Sequence, residues 1–259
     1  MTETLAGEVK VELLDEEKIL HLVIDAGKGN IIDAALMGEL GAVLEREASA
    51  PGLRAIILDH AGKHFSFGAS VEEHAPGAVN DMLPNFHALA KRMLGLCVPT
   101  IVIVRGACLG GGLEVACLGH RIFAAPNASL GQPETVLGVF APIGTALLPR
   151  LVGRTAAADL LFSGRSVNAT EALAMGLVAC VDDDPLEAAL DWVRTHLVPK
   201  SASSLRFAAR ALAISADGEV ERVLDELEAL YLGELMASED AVEGIGAFLE
   251  KRNPTWKDR

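Results

Sequence analysis

The segment Leu109-Gly110-Gly111-Gly112-Leu113-Glu114 follows the apolar, β-branched run Thr100–Val104, and it is the stretch of the chain best suited to chemistry. Three glycines between a strand and a helix let the backbone approach a ligand closely and leave the first helical N–H groups without partners. Such a terminus stabilises negative charge that develops on a bound group. No Gly-Lys-Ser/Thr follows, so this is not a Walker-type phosphate loop. Tight packing alone also accounts for a glycine triplet, so the weight falls on its neighbours. Glu114 closes the segment, and Glu134, in Gly131-Gln132-Pro133-Glu134, comes 20 residues later. Singly, the first is a dipole-complementing carboxylate and the second a solvated loop acid. If both face one cavity, burial and mutual repulsion separate their protonation states, and they become a general acid and a general base.

The run His64-Phe65-Ser66-Phe67-Gly68-Ala69-Ser70 offers either core packing or a nest of backbone N–H groups facing a ligand. His64 and His74 flank this turn with no matching third ligand, so no metal is expected. Gly27-Lys28-Gly29-Asn30 mimics half a dinucleotide fingerprint, but Ile32 stands where the third glycine belongs and no acidic residue closes a second strand. That reading is rejected.

These segments need a frame to bring them together. Val9–Leu14 and Ile19–Ile24 about Asp15-Glu16-Glu17 read as a hairpin. Asp33–Ala48 has helical spacing (Leu36, Leu40, Val43, Leu44) and stops before Pro51-Gly52. Arg54–Leu58, Val98–Val104 and Arg121–Ala125 are strand-like, and Leu113–His120 continues the glycine-rich segment as a helix. Short buried strands alternating with helices predict an α/β domain of βαβ-type units. From Pro185 the pattern is helical only, over Pro185–Leu197, Ser203–Ile214, Gly218–Ala237 and Asp240–Lys251. Asp182-Asp183-Asp184-Pro185 therefore marks an expected boundary between an α/β core, 1–184, and a helical region, 185–259.

The composition narrows the function classes. The 259 residues are 51% hydrophobic, enough for a sizeable core, and 36 Asp+Glu against 22 Lys+Arg give a net charge of −14. That balance argues against a nucleic-acid or membrane-surface partner, since both are anionic. Cys97, Cys108, Cys117 and Cys180 lack metal-site or disulfide-framework spacing. Met1–Lys10 shows no basic head followed by an apolar run, and no stretch reaches membrane-spanning length, so a cytoplasmic location is expected.

Asn30, His64–Ala69, Arg105–Glu114, Gly131–Glu134, Ala172–Val178 and Glu239–Arg252, taken in this order and spacing, resemble the crotonase (enoyl-CoA hydratase/isomerase) superfamily. The likeness runs from about Val9 to Arg252. It implies a spiral of ββα units with a C-terminal helical trimerisation region, self-association to a trimer or hexamer, and an acyl-CoA thioester as substrate. No cofactor is implied beyond the coenzyme A of the substrate itself. It further implies an oxyanion hole from the backbone N–H groups of Ala69 and Gly111, with Glu114 and Glu134 as the catalytic pair. Lys28, Lys63, Phe67, Gly68, Ser70, Gly110, Pro133, Pro142, Phe248 and Lys251 are the implied substrate- and CoA-binding residues.

Hydratases of the superfamily carry both glutamates, which favours addition of water; an isomerase or ring hydrolase of the same family is the alternative, and a non-catalytic CoA-binding scaffold a further one. Which glutamate is acid and which is base stays open. Two departures bear on the acyl group. Gly68-Ala69-Ser70 stands where the family often has Gly-Ala-Asp, and Phe140-Ala141-Pro142-Ile143-Gly144 replaces a glycine-rich run. Phe65–His74 is most similar to members that hydrate cyclohexa-1,5-diene-1-carbonyl-CoA, so a cyclic dienoyl thioester is the expected substrate and a straight-chain enoyl-CoA its alternative. His74 to His87 is expected to form the lid or wall that decides which acyl group fits.

Overall fold

Val9–Leu14 (β1) and Ile19–Ile24 (β2) pair antiparallel, Val9 opposite Ile24, and Asp15, Glu16 and Glu17 turn the chain with positive φ. The computed structural model describes residues 7–216 and 218–258; the reading of Met1–Lys10 as leaderless rests partly on residues 1–6, which lie outside them. Ala34–Glu47 (α1) is capped by Asp33, whose carboxylate accepts from Leu36 N at 3.0 Å, and it buries the predicted stripe Leu36, Leu40, Val43 and Leu44. Ala55–His60 (β3) leads through a short 3₁₀ turn, Glu72–His74, to Val79–Leu94 (α2). Thr100–Val104 (β4), Ala107–Leu109 (β5), Gly111–Cys117 (α3), Arg121–Ala124 (β6) and Ser129–Gly131 (β7) follow in close succession. A 3₁₀ turn, Pro133–Leu137, precedes Pro142–Leu151 (α4), Gly153–Ser163 (α5), Ser166–Asn168 (β8), Ala169–Ala174 (α6) and Cys180–Val181 (β9). The remainder is helical: Pro185–His196 (α7), Ala202–Ala216 (α8), Gly218–Gly233 (α9), the 3₁₀ turn Leu235–Ala237, and Glu239–Leu249 (α10).

The main sheet has the order β1-β2-β3-β4-β6-β9, parallel from β2 onward. Both its faces are covered, which is why its strands read as unbroken apolar runs. Ile56, Leu58, Val102 and Val104 point into the larger core shared with α1 and α2. Ile57, Ile101, Ile103 and Phe123 point the other way, against Ala189, Leu190 and Val193 of α7. A second, three-stranded sheet, β5-β7-β8, stands apart from the first. It runs through the segment that the sequence presents only as a glycine-rich loop, and its strands are three residues each. Helix α3 begins inside that glycine segment, at Gly111 rather than at Leu113, because the glycines themselves form its first turn.

Helix α9 packs on α2 and α4, and α10 on the turn Pro133–Leu137, where a Cβ at Gly244 would lie 2.1 Å from Leu137 O. Both C-terminal helices therefore frame the same region as the glycine segment. Among the described residues no helix is long and apolar enough to cross a membrane.

Candidate active site

Two loops meet at the end of β5. Ser66 pairs with Cys108 and Ile32 with Ala69 as parallel bridges. Ile32 N donates to Gly68 O and Ser70 N donates to Ile32 O, each at 3.0 Å. That pattern turns the intervening Ala69 N–H to the opposite side of the strand. The neighbouring Gly68 N–H is taken up by Ser66 Oγ at 3.0 Å. Gly111 is the first residue of α3, so its N–H has no intrahelical acceptor. Among the described residues neither the Ala69 nor the Gly111 amide finds an acceptor in the protein.

The approach of these loops dictates the glycines. A Cβ at Gly111 would lie 2.9 Å from Ala69 N, one at Gly112 2.7 Å from Ser66 Cβ, and one at Gly110 2.9 Å from Glu134 Oε1. Gly68, at φ +112°, and Gly110, at φ +52°, also occupy backbone conformations that L side chains rarely adopt. Asn30 ties the loops together from below, accepting from Ala26 N and donating to Ala61 O and His64 O at 3.0–3.2 Å.

Glu114 and Glu134 do face one cavity. Glu114, in the first turn of α3, is buried, and its Oε1 accepts from Gly144 N at the start of α4 at 2.8 Å. Burial pushes its carboxyl up to about 7, against the pull of the Gly144 and Ile143 amides toward the charged form. Glu134, in the 3₁₀ turn after β7, is pushed well above the usual carboxylate range by burial and then by the charge of Glu114. The buried Gln132 holds it: with the amide oriented so that its oxygen does not face acceptors alone, the nitrogen donates to both Glu134 oxygens at 3.0 Å and to Gly110 O at 3.2 Å. Gly144 makes room for that amide, since a Cβ there would sit 2.7 Å from the other polar atom of the Gln132 side chain, its oxygen in this orientation.

The cavity has a volume of about 310 Å³. Apart from the carboxylates its walls are largely apolar, with Met82, Leu83 and Phe86 of α2 on one side and Val139 and Phe140 on another. The expected wall between His74 and His87 is thus the end of the 3₁₀ turn, which contributes His74, and the start of α2, which contributes Met82, Leu83 and Phe86. Phe67, Gly68, Gly110, Pro133, Pro142 and Phe248 all line the chamber, as do Ala69 and Gly111. Lys28, Lys63, Ser70 and Lys251 do not. Lys28 and Lys63 are exposed, the first beside Gly29, whose carbonyl accepts from Phe67 N at 2.9 Å, and the second in an open groove with His64, Arg105 and Asn127. Lys251 is exposed just beyond α10, its N–H on Phe248 O at 3.1 Å. Ser70 turns its hydroxyl toward the Glu72 carboxylate at 3.2 Å, away from the chamber. His64 and His74 are engaged with backbone, His64 Nδ1 accepting from Ala107 N at 3.0 Å and His74 Nδ1 lying 2.7 Å from Ser70 O.

A family model described as enoyl-CoA hydratase/isomerase matches residues 16–259. The chain belongs to that family. A cyclohexa-1,5-dienecarbonyl-CoA hydratase from Thauera aromatica is 50% identical over 254 residues, which cover 98% of each chain. A probable enoyl-CoA hydratase from Bacillus subtilis (strain 168) is 34% identical, over 95% of this chain and 98% of its own. Among solved structures, an enoyl-CoA hydratase from Mycobacterium avium subsp. paratuberculosis K-10 matches with a TM-score of 0.83 and 26% identity, over 97% of this chain and 99% of that one. The α/β arrangement described above is the crotonase fold of this enoyl-CoA hydratase/isomerase family.

Two residues, one behind the chamber and one lining it, escape a reading of the sequence. Gln132 lies inside a recognised motif, yet only the structure reveals that it grips the Glu134 carboxylate. Tyr231, on α9, lines the chamber with the two glutamates although nothing in the chain near residue 231 suggests a site. Its signal is compositional: it is the sole tyrosine of the chain.

Proposed function

We propose that this chain is an acyl-CoA hydratase that adds water to cyclohexa-1,5-diene-1-carbonyl-CoA. The observation that carries the reading is the chamber: two carboxylates of separated protonation behaviour, beside two unpaired amides, in an apolar space of about 310 Å³. A dry cavity of about 150 Å³ holds benzene, so this one has room for a six-membered ring together with a thioester and one water. The 50% identity to the Thauera aromatica enzyme supports the same substrate.

In this mechanism the thioester oxygen accepts hydrogen bonds from Ala69 N–H and Gly111 N–H, donors fixed before reaction and aimed where negative charge accumulates. Glu134 holds the proton of the pair, because the charge of Glu114 opposes its ionisation; Glu114 is the carboxylate, held by Gly144 N–H. Glu114 takes a proton from water as the water oxygen bonds to the ring carbon β to the thioester. The electron pair of the α,β double bond passes to the thioester oxygen, and with the second ring double bond beside it this gives a dienolate in the oxyanion hole. Glu134 then delivers its proton to the far carbon of the diene, and the remaining double bond stays conjugated with the thioester. One water is added overall, and the acid–base chemistry balances without a cofactor.

Lys28, Lys63 and Lys251 are proposed to meet the phosphates of the CoA nucleotide, with Phe248 at the mouth of the chamber and Ser70 shaping the loop that carries the Ala69 amide. Residues 185–259 are proposed to extend the 1–184 core as an association region that makes a trimer or hexamer. CoA thioesters as substrates are consistent with a cytoplasmic enzyme.

The experiment is a pair of specificity constants under one set of conditions. kcat/KM for cyclohexa-1,5-diene-1-carbonyl-CoA should exceed that for crotonyl-CoA by at least about tenfold, the lower end of what one methylene is worth in an apolar pocket. A preference for the linear substrate overturns the ring assignment and leaves a straight-chain enoyl-CoA hydratase.

A further inference from the structure

Tyr231 is fully buried, 1% exposed, and lines the chamber that holds Glu114 and Glu134. Its ring is fixed edge-on to Phe140, with centroids 5.3 Å apart. Its helix, α9, is anchored to α2 by Lys91 Nζ on Asp225 Oδ1 at 2.5 Å, and by His87 Nδ1 at 2.7 Å from Glu228 Oε2, one turn before the tyrosine. The ring therefore has little freedom to turn its hydroxyl elsewhere. Among the described residues no protein group hydrogen-bonds to that hydroxyl. A buried phenol without a partner is unfavourable, and buried tyrosines ordinarily find one. Burial first, and then the neighbouring Glu114 carboxylate, make ionisation of the phenol unfavourable, so it stays a neutral O–H.

The partner must come from what enters the chamber. Within the hydratase reading, on which this inference rests, the acyl group brings few polar atoms. The thioester oxygen has its two amides, and the diene ring has none. What remains is the oxygen that adds to the ring, first as water and then as the product hydroxyl.

We infer that the Tyr231 hydroxyl holds the added oxygen, accepting the hydrogen of the attacking water that Glu114 does not take and bonding to the new ring hydroxyl in the product. Water is then gripped at two points, so that one lone pair is aimed at the β-carbon. No bond to Tyr231 is made or broken, and its proton is not transferred. In the reverse direction the same contact recognises the hydroxylated ring and separates it from the saturated ring that lacks a hydroxyl.

Tyr231→Phe tests this, because it keeps the ring and its contact with Phe140 while deleting the oxygen. Forward kcat/KM with the ring diene thioester and reverse kcat/KM with its hydroxylated product are measured for wild type and variant. The inhibition constant of cyclohexane-1-carbonyl-CoA, which carries neither hydroxyl nor double bond, is measured alongside. Expected are losses of about 10- to 100-fold in both directions, with forward KM little changed, reverse KM raised, and the inhibition constant within twofold of wild type. Rates within twofold of wild type in both directions overturn the assignment. So does a weakening of the saturated inhibitor equal to the loss in rate, which marks a packing role. If wild type prefers crotonyl-CoA, the ring reading fails separately, and the same comparison is made with crotonyl-CoA and 3-hydroxybutyryl-CoA, where the hydroxyl is again the atom held. A wild type that hydrates neither thioester overturns both.

Discussion

Glu114→Gln keeps the shape of the side chain and removes its charge, which separates the chemistry of the chamber from its stability. The carboxyl is buried, and burial raises it from 4.5 to about 7. The native state thus holds this proton more tightly than the unfolded chain does. The stabilisation from that difference is fully present below about pH 4.5 and is lost as pH climbs to about 7. With about 1.4 kcal/mol per unit, an ionised Glu114 leaves the fold about 3 kcal/mol less stable at pH 8 than a neutral side chain would. Glutamine escapes that loss, offset in part by the weaker bond that a neutral amide makes with Gly144 N–H. Wild type and variant should therefore melt together near pH 4.5, and the variant should melt higher at pH 8, by up to about 6–12 °C for a domain of this size. At the same pH its kcat should fall by about 10²–10⁴, since the base for water is gone. Scanning calorimetry at the two pH values, with turnover at pH 8, checks both halves. A variant no more stable than wild type at pH 8 refutes the buried-carboxylate argument, and retained turnover refutes Glu114 as the base.

Wild-type kcat should rise with pH through about 7 as Glu114 ionises and fall again at higher pH as Glu134 loses its proton, a bell read from a pH–rate profile. Gln132→Leu removes the donor that favours the charged form of Glu134, so the alkaline limb should move to higher pH and kcat should drop by about tenfold; an unmoved limb shows that Gln132 does not control that proton. Gly111→Ala puts a methyl 2.9 Å from Ala69 N and should cost at least about 10² in kcat with the far-ultraviolet circular dichroism unchanged, as loss of an oxyanion donor does. Leu230, Val242, Phe248 and Leu249 are each 41–53% exposed along α9 and α10, so light scattering at micromolar concentration should find a trimer or hexamer, and a monodisperse monomer contradicts the proposed association.

How much of this was legible depended on the length of the pattern. The β1–β2 hairpin, α1 and the C-terminal helices carry strong periodicity, and their bounds came out within a few residues of expectation. Helix α2 did not read as a helix, because Pro84 lies within it and Pro76 just before it; packing of Met82, Phe86 and Leu89 on the core outweighs the lost backbone bond. Strands β5, β7 and β8 are too short for any alternation to register, yet they set the relative position of Gly110 and Gln132. Glu114 and Glu134 stood out through motif and spacing. Tyr231 could not, since Val220, Leu224 and Tyr231 share one helical face and the pattern marks only a core stripe. Ser70 misleads in the other direction: its place in the motif suggests the acyl chamber, but the 3₁₀ turn that follows draws its hydroxyl to Glu72.

The two bridges that turn the Ala69 amide inward, Ile32 with Ala69 and Ser66 with Cys108, each join segments from different crossovers of the main sheet, and Gly110 N is tied to Gly131 O on a third. No single hairpin or helix carries the oxyanion hole within itself. In refolding, helices and local turns form early, whereas contacts between distant segments wait on closure of the loops between them. The hole therefore comes into being only when β2, β3, β4 and β7 have all docked. Recovery of turnover after dilution from denaturant is thus a clock for the completion of the topology, and it should trail the recovery of helical circular dichroism rather than accompany it.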